Sequence, residues 1–173
     1  AYTVNIDNMS ISPGYPVRGA VVTDWQSYTP TFGAGFGTCT NQTGRWRRVG
    51  DSCEIETSAT SGTQASAAYS ISLPTGLAID STKINLGNTT SNPGQVIGEL
   101  FCDGGSTALG AIVTATGTST SLVYAAYGTG SSTLLTPATT TTNSPIVNSK
   151  VFATHFIVPI AGWSSNCVLS DDA

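Results

Sequence analysis

Few residues in this sequence could act as a general acid or base. There is a single histidine, His155, so a Ser-His-Asp triad has only one possible base. No G-x-S-x-G motif accompanies it. Period-two alternation in the surrounding run places His155 on one face with Val151, Ala153 and Ile157. This pattern favours a hydrogen-bonded histidine, in the core or at a subunit interface, over a catalytic base.

Paired carboxylates could hydrolyse a glycosidic bond. The closest pair, however, is matched to arginines. The sequence from Arg45 to Glu56 predicts two strands joined by a Gly-Asp loop at residues 50–51. That loop sets Arg47 opposite Glu54 and Arg45 opposite Glu56. Arginine partners favour ionised carboxylates with low pKa values, whereas a general acid needs a raised pKa. Asp80, Glu99 and Asp103 are the other candidate carboxylates, and nothing in the sequence brings two of them together.

The opposite face of this predicted hairpin is apolar. Trp46 lies opposite Ile55, and we expect both to face the core. The cross-strand ion pairs account for two of the three arginines in the cluster at residues 45–48. We therefore prefer the pairing to the alternative of a phosphate or lipopolysaccharide site.

No cofactor or metal site is predicted. Carboxylates at Asp103 and at 171–172 lie near turns, but their spacing does not match a calcium loop. The cysteines lack the C-x-x-C spacing of a zinc site. Their even number permits disulfides outside the cell, with buried free thiols as the alternative. The hairpin register argues against a bond between the first two. The four cysteines are Cys39, Cys53, Cys102 and Cys167.

The elements that must position these residues are strands. Period-two alternation dominates, and no segment predicts a capped amphipathic helix of ten or more residues. Many short strands separated by turn signals indicate an all-β sandwich or barrel. The predicted strands are Thr3–Ile6, Ala20–Thr23, Tyr28–Phe32, Thr43–Val49, Ser52–Ser61, Ala67–Leu73, Lys83–Leu86, Val96–Cys102, Ala108–Thr116, Ser121–Ala126 and Lys150–Pro159. Residues 136–145 predict either a solvated loop or an edge strand blunted by proline.

Composition excludes several classes of protein. The 173 residues include 27 Thr and 21 Ser, and only 9% are charged, with a formal net charge of −4. Nucleic-acid binding is not expected, because it depends on Lys and Arg neutralising phosphates. Membrane insertion is not expected either, because no run approaches the roughly 18 apolar residues of a spanning helix. The size fits one main domain.

The first residues differ from the rest of the chain. An alternating segment, Val4–Ser12, ends in a Pro-Gly-Tyr-Pro sequence. A strand segment this short cannot bury a face by itself and needs partner chains or a preceding stalk. We place a boundary near Pro16–Gly19. Residues 1–19 then form an N-terminal arm, and residues 20–173 form the β domain.

Four short motifs, in this order, resemble the tip, or receptor-binding, domain of tailed-phage tail fibres and of phage-like bacterial adhesive fibres. They are Val22–Pro30, Trp46–Asp51, Ser72–Leu77 and Ile157–Trp163. The leading V-N-I-D-N-x-x-I is similar to the last shaft repeat of such fibres. The resemblance extends from about residue 4 to residue 166 and is weaker over 86–148. The four cysteines depart from the typical pattern.

This resemblance implies a homotrimer of antiparallel, jelly-roll-like β-sandwich tips on an intertwined N-terminal β stalk. Residues 1–19 would then be the end of the fibre shaft and the trimerising arm, and residues 20–173 the tip domain. It implies an extracellular place, on a cell surface or a virion tail fibre. The implied function is a non-enzymatic adhesin that recognises cell-envelope polysaccharide of a target cell. A tail-spike-like polysaccharide depolymerase and a purely structural fibre module are the alternatives.

Candidate glycan-binding residues lie in the segment where the resemblance is weakest. Sugars are recognised by aromatic faces and short polar side chains on rigidly held loops. Three polar turns offer such residues, whereas the tryptophans belong to the motifs and are assigned to packing. The candidates are Tyr124 and Tyr127 at one turn, Asp103 and Thr107 at the second, and Asn88, Asn92 and Gln95 at the third.

Overall fold

A computed structural model describes residues 21–86, 95–103, 144 and 146–163, together with the backbone of 109–115, 123–127 and 136–137. Within these residues the chain is all-β, as the alternation predicts, and its one helical element is a 3-10 turn at Ala34–Phe36. The strands are β1 (Gln26–Tyr28), β2 (Thr40–Val49), β3 (Ser52–Thr60), β4 (Ser70–Ile71), β5 (Val96–Cys102), β6 (Leu109–Ala115), β7 (Val123–Tyr127), β8 (Thr136–Pro137) and β9 (Val151–Pro159).

All nine strands belong to one sheet, and every pairing between them is antiparallel. The order is β1-β2-β3-β9-β5-β6-β7-β4, and β8 pairs with β7. The two ends of this path meet, because Phe32, just after β1, bridges to Ile71 of β4. The Ser72 amide also donates to the Thr31 carbonyl at 2.9 Å. In this strand order, β9 lies in the middle of the sheet, between β3 and β5.

The predicted hairpin is confirmed in loop and register. Arg45 pairs with Glu56, and Arg47 pairs with Glu54, across β2 and β3. Gly50 adopts a φ of 66°, a left-handed conformation that glycine takes without steric cost and that a Gly-first turn requires.

The core lies against the inner faces of β3 and β9. Phe36 stacks on Phe152 with ring centroids 4.7 Å apart, and Tyr69 meets Phe36 edge-on at 5.3 Å. Ile55 is fully buried and Trp46 packs against the core, as the hairpin predicts. Offset and edge-to-face aromatic pairs of this kind add about 0.5–1.5 kcal/mol beyond their buried area.

Two contacts fix β9 against its neighbours. Thr57 of β3 and Thr154 of β9 are buried, 4% and 5% exposed, and their hydroxyls are 2.7 Å apart. On the other side, Gly98 of β5 pairs with Phe156 of β9. A Cβ on Gly98 would lie 2.2 Å from the backbone oxygen of His155, so β5 approaches β9 only because this residue is glycine.

Four predicted strands differ from the structure. Tyr28–Phe32 shares only Tyr28 with β1, and Phe32 forms a single bridge to Ile71. Ala20–Thr23 contributes one bridge, Val22 to Val49, among its described residues, and Ala67–Leu73 shortens to β4. The predicted strand at Lys83–Leu86 is wrong, because this segment forms a turn. Asp80 accepts hydrogen bonds from the amide and hydroxyl of Thr82, at 3.0 and 2.6 Å, which turns the chain instead. Thr136–Pro137 pairs with β7 as β8, which agrees with the edge-strand alternative for the first two residues of the segment at 136–145.

The three described cysteines have free thiols, so no disulfide joins Cys39 to Cys53. Burial, with a smaller contribution from the Glu54 charge, raises the pKa of Cys53 to about 12. Burial also raises the pKa of Cys102 and of Cys39. A bulge between Thr40 and Thr43 shifts the register of β2 against β3, and β2 begins at Thr40, one residue after Cys39.

Several predictions lie outside the described residues: the arm at 1–19, Cys167 and the acidic pair at 171–172. Among the described residues, no helix has the length and apolar character needed to cross a bilayer.

Candidate functional site

An open groove of about 500 Å³ runs across the outer face of the sheet, over β1, β2, β3, β9 and β5. This volume lies within the usual range for small-ligand sites. We call it the outer groove. Its lining residues are Ser27, Thr43, Gly44, Arg45, Glu56, Thr57, Ser58, Glu99, Phe101, Ala153, Thr154 and His155.

Small side chains form the floor of the outer groove, and an aromatic ring forms one wall. Ser58 pairs with Ala153, which in turn pairs with Phe101 on β5. The alternation of β5 directs Leu100 and Cys102 inward, both buried, and leaves Phe101 outside and 53% exposed. An apolar ring this exposed is available to a ligand.

The next row of the sheet is charged. Glu56 pairs with His155, which pairs with Glu99, while Arg45 lies opposite Glu56 and Ser27 opposite Arg45. Residues from five strands thus meet in one line, although their positions in the sequence run from 27 to 155. The outer groove therefore presents hydroxyls, two carboxylates, a guanidinium and an aromatic ring side by side.

His155 is hydrogen-bonded, but it is not a core residue. Its side chain is 44% exposed on the outer face, and Nε2 lies 3.0 Å from Oε1 of Glu54. The other Glu54 oxygen accepts from Nε of Arg47 at 2.6 Å. Burial raises the pKa of the Glu54 carboxyl, but the bonds to His155 and Arg47 outweigh it and hold the pKa below its usual value. The expectation that His155 lies in the core is therefore wrong. β9 directs Phe152 and Phe156 into the core and His155 to the outer face.

The three arginines of the cluster at residues 45–48 all contact other side chains of the fold. Nε and Nη2 of Arg45 both lie 2.6 Å from Oε2 of Glu56. The guanidinium carbons of Arg45 and Arg47 each lie 4.7 Å from the ring centroid of Trp25. Arg48 covers the ring of Trp163 at 4.9 Å. These contacts confirm the predicted ion pairs and assign Trp25 to packing against arginine.

Glu99 is different from the other carboxylates of this face. It forms no ion pair or hydrogen bond with any part of the chain that the structure describes. It is exposed, and it stands two residues from Phe101 on the same face of β5. The outer groove therefore contains one carboxylate whose acceptor oxygens are open to a ligand.

The groove offers little to a hydrolytic reaction. Glu56 and Glu99 lie on strands separated by β9, at a spacing of about 9–10 Å from the usual strand separation. This backbone spacing is close to the distance of about 6.5–9.5 Å between the carboxyl groups of an inverting glycosidase. However, Glu56 is tied to Arg45, a pairing that suits a carboxylate and not a proton donor. No group of three or more metal-ligating side chains occurs in the described part of the chain.

The sequence-predicted ligand residues fall elsewhere. Asp103 is exposed at the end of β5 and lies 3.7 Å from the Lys150 ammonium. Gln95 is exposed, and its backbone N–H donates to the backbone carbonyl of Asn85. The backbone of Tyr124 pairs with two neighbouring strands, and that of Tyr127 pairs with Thr136 at the end of β7. Asn88, Asn92 and Thr107 lie outside the described residues.

Sequence reasoning missed the grouping of Phe101, Glu99 and His155. One signal was present, since Phe101 shares the alternation phase of Glu99 and so had to lie on the polar face of β5.

No known protein family, curated protein or solved structure matches the chain. The comparisons therefore identify no family. The resemblance to fibre tips rests on the four motifs in the sequence.

Proposed function

We propose that the chain is the non-enzymatic, receptor-binding tip of a trimeric fibre, an adhesin that recognises glycans on the envelope of a target cell. The observation that carries this proposal is the outer groove, with its exposed Phe101 ring beside hydroxyl and carboxylate side chains. The proposal places the protein outside the cell, on a cell surface or a virion tail fibre.

Sugars have two kinds of surface, and the outer groove offers a partner to each. The apolar C–H face of a pyranose packs against an aromatic ring, as Phe101 allows. Its hydroxyls need donors and acceptors at fixed positions. Ser27, Thr43 and Glu99 offer these from three different strands. Since the groove is built on strands, little ordering of the protein opposes binding.

Adhesion fits the groove better than hydrolysis. A glycosidase needs a proton donor whose carboxyl is kept protonated. In the groove, Glu56 is ion-paired and Glu99 is exposed to solvent.

A trimer would strengthen weak individual sites. Three sandwich-type tips on one stalk raise the effective concentration of the second and third sites, so each can be millimolar and still hold a cell. Three chains of 17.7 kDa give an expected mass of about 53 kDa by light scattering. A chain that stays monomeric at high concentration would contradict the fibre-tip proposal.

The test is retention on isolated envelope polysaccharide, with reducing ends measured in parallel. We expect retention without new reducing ends, and loss of retention in Phe101→Ala. Arg48→Lys, which changes a residue stacked on Trp163 and outside the groove, serves as a matched control that keeps retention. New reducing ends would instead indicate a depolymerase. A trimer that no envelope polysaccharide retains would indicate a purely structural fibre module.

A further inference from the structure

The outer groove carries an unbalanced negative charge. Apart from His155, whose ring nitrogen is hydrogen-bonded to Glu54 at 3.0 Å, the charged groups among its lining residues are one guanidinium, Arg45, and two carboxylates, Glu56 and Glu99. Arg45 and Glu56 neutralise each other at 2.6 Å. The charge of Glu99 is not neutralised in this way, and the net charge of the whole chain is also negative.

The position of Glu99 makes it a partner for a cation. Residues two apart on one face of a strand are about 6.5–7 Å apart, so Phe101 and Glu99 bracket a space the size of one substituent. An ammonium in that space meets a carboxylate on one side and an aromatic ring on the other. The carboxylate attracts the ammonium by opposite charge, while the ring contacts the apolar face of the same sugar.

Anionic sugars have no comparable partner. A uronate or phosphate would have to draw Arg45 away from Glu56 and from the ring of Trp25, 4.7 Å from the Arg45 guanidinium carbon. It would also lie beside Glu99, whose like charge opposes it.

From these contacts we infer that the outer groove selects sugars that carry a free, protonated amino group over their N-acetylated and acidic counterparts. This inference rests on the proposed glycan-binding function and names the class of sugar for that same site. Glu99 is the residue that specifies the amine, and Phe101 is the residue that binds the ring of any sugar.

Calorimetric titration of the full chain in mildly acidic buffer, in which the amines of the glucosamine probe are protonated, tests the inference. The three probes have equal length: tetramers of glucosamine, of N-acetylglucosamine and of galacturonic acid. Glucosamine and N-acetylglucosamine differ in the charge of the amine. We expect glucosamine to bind about five-fold more tightly than its acetylated form, as one exposed ion pair provides. Galacturonate should bind most weakly.

Two variants separate the contributions. Glu99→Gln should remove the preference for glucosamine and leave the affinity for N-acetylglucosamine within about two-fold. Phe101→Ala should weaken both ligands together. Asp24→Asn removes an exposed carboxylate outside the groove and is the matched control, expected to keep the full preference.

Salt provides a test that needs no variant. The preference for glucosamine should fade in about 0.5 M NaCl, because an exposed ion pair is screened. A preference that survives this salt, or one that survives Glu99→Gln, would overturn the role of Glu99.

The failure of this inference differs from the failure of the proposed function. Binding of the acetylated or acidic tetramer as tightly as glucosamine overturns the amino-sugar inference and leaves glycan binding standing. No binding of any tetramer, together with no retention on envelope polysaccharide, overturns both. Loss of the trimer in Phe101→Ala would assign the groove to a subunit contact and would also overturn the inference.

Discussion

Breaking the buried hydrogen bond between Thr57 and Thr154 should destabilise the protein more than removing both hydroxyls. The two side chains lie between β3 and β9, directly beneath the outer groove, and are 4% and 5% exposed. In Thr154→Val, the hydroxyl of Thr57 stays buried without its partner. Leaving such a group unsatisfied costs about 1–3 kcal/mol of the free energy of unfolding.

The double variant gives the sharper comparison. Valine has nearly the shape of threonine, and replacing both partners by apolar groups can be close to neutral. We therefore expect the double valine variant to be more stable than either single variant. A loss of about 2 kcal/mol lowers the melting temperature of a chain of this size by about 4–8 °C.

The assay is guanidinium unfolding followed by tryptophan fluorescence, with all variants at one protein concentration because assembly affects apparent stability. Thr40→Val, an exposed threonine on β2, is the control and should change the free energy of unfolding by less than about 0.5 kcal/mol. The reasoning is refuted if Thr154→Val loses no more than this control. It is also refuted if the losses of the two single variants add in the double variant.

Further predictions concern other parts of the fold. Gly98→Ala should lower the free energy of unfolding by about 3 kcal/mol or more, because the new Cβ meets the backbone of β9. Gly76 has a φ of 86° and open space around it, so Gly76→Ala should lower it by only about 1–2 kcal/mol, from backbone conformation alone. Equal losses of the two variants in chemical unfolding would contradict this. In a Cys167→Ser background, Cys53 and Cys102 should react with Ellman's reagent at pH 8 only on unfolding, because burial raises their thiol pKa values. Because the folded pKa of Glu54 is lowered, its stabilisation is present above the ordinary value near 4.5 and is lost as the pH falls through the folded pKa. The stability advantage of wild type over Glu54→Gln should therefore shrink in acid, and an advantage that grows below pH 4.5 would contradict the assignment.

Local chemistry made part of the fold predictable. The Gly-Asp loop fixes the turn and the register of β2 against β3, so both Arg–Glu pairs follow from the sequence. Alternation likewise locates β5 at Val96–Cys102 and β9 to within one residue. In each case the pattern that predicts the element lies within a short stretch of the sequence.

The site could not be predicted in the same way. The insertion of β9 between β3 and β5 brings Ser58, Phe101 and Ala153 into one row, and nothing in the sequence near any one of them records that order. The mistaken strand at Lys83–Leu86 has a comparable cause. There the side chain of Asp80 satisfies the backbone locally and removes the segment from the sheet.

The most direct measurement is a crystal soaked with the oligosaccharide that binds most tightly in the titrations. The account predicts electron density for a sugar ring packed on Phe101, with a polar substituent against the carboxylate of Glu99. Density at Tyr124, Tyr127 or the turns around residues 88–95 and 103–107, with the outer groove empty or covered by a second subunit, would contradict it.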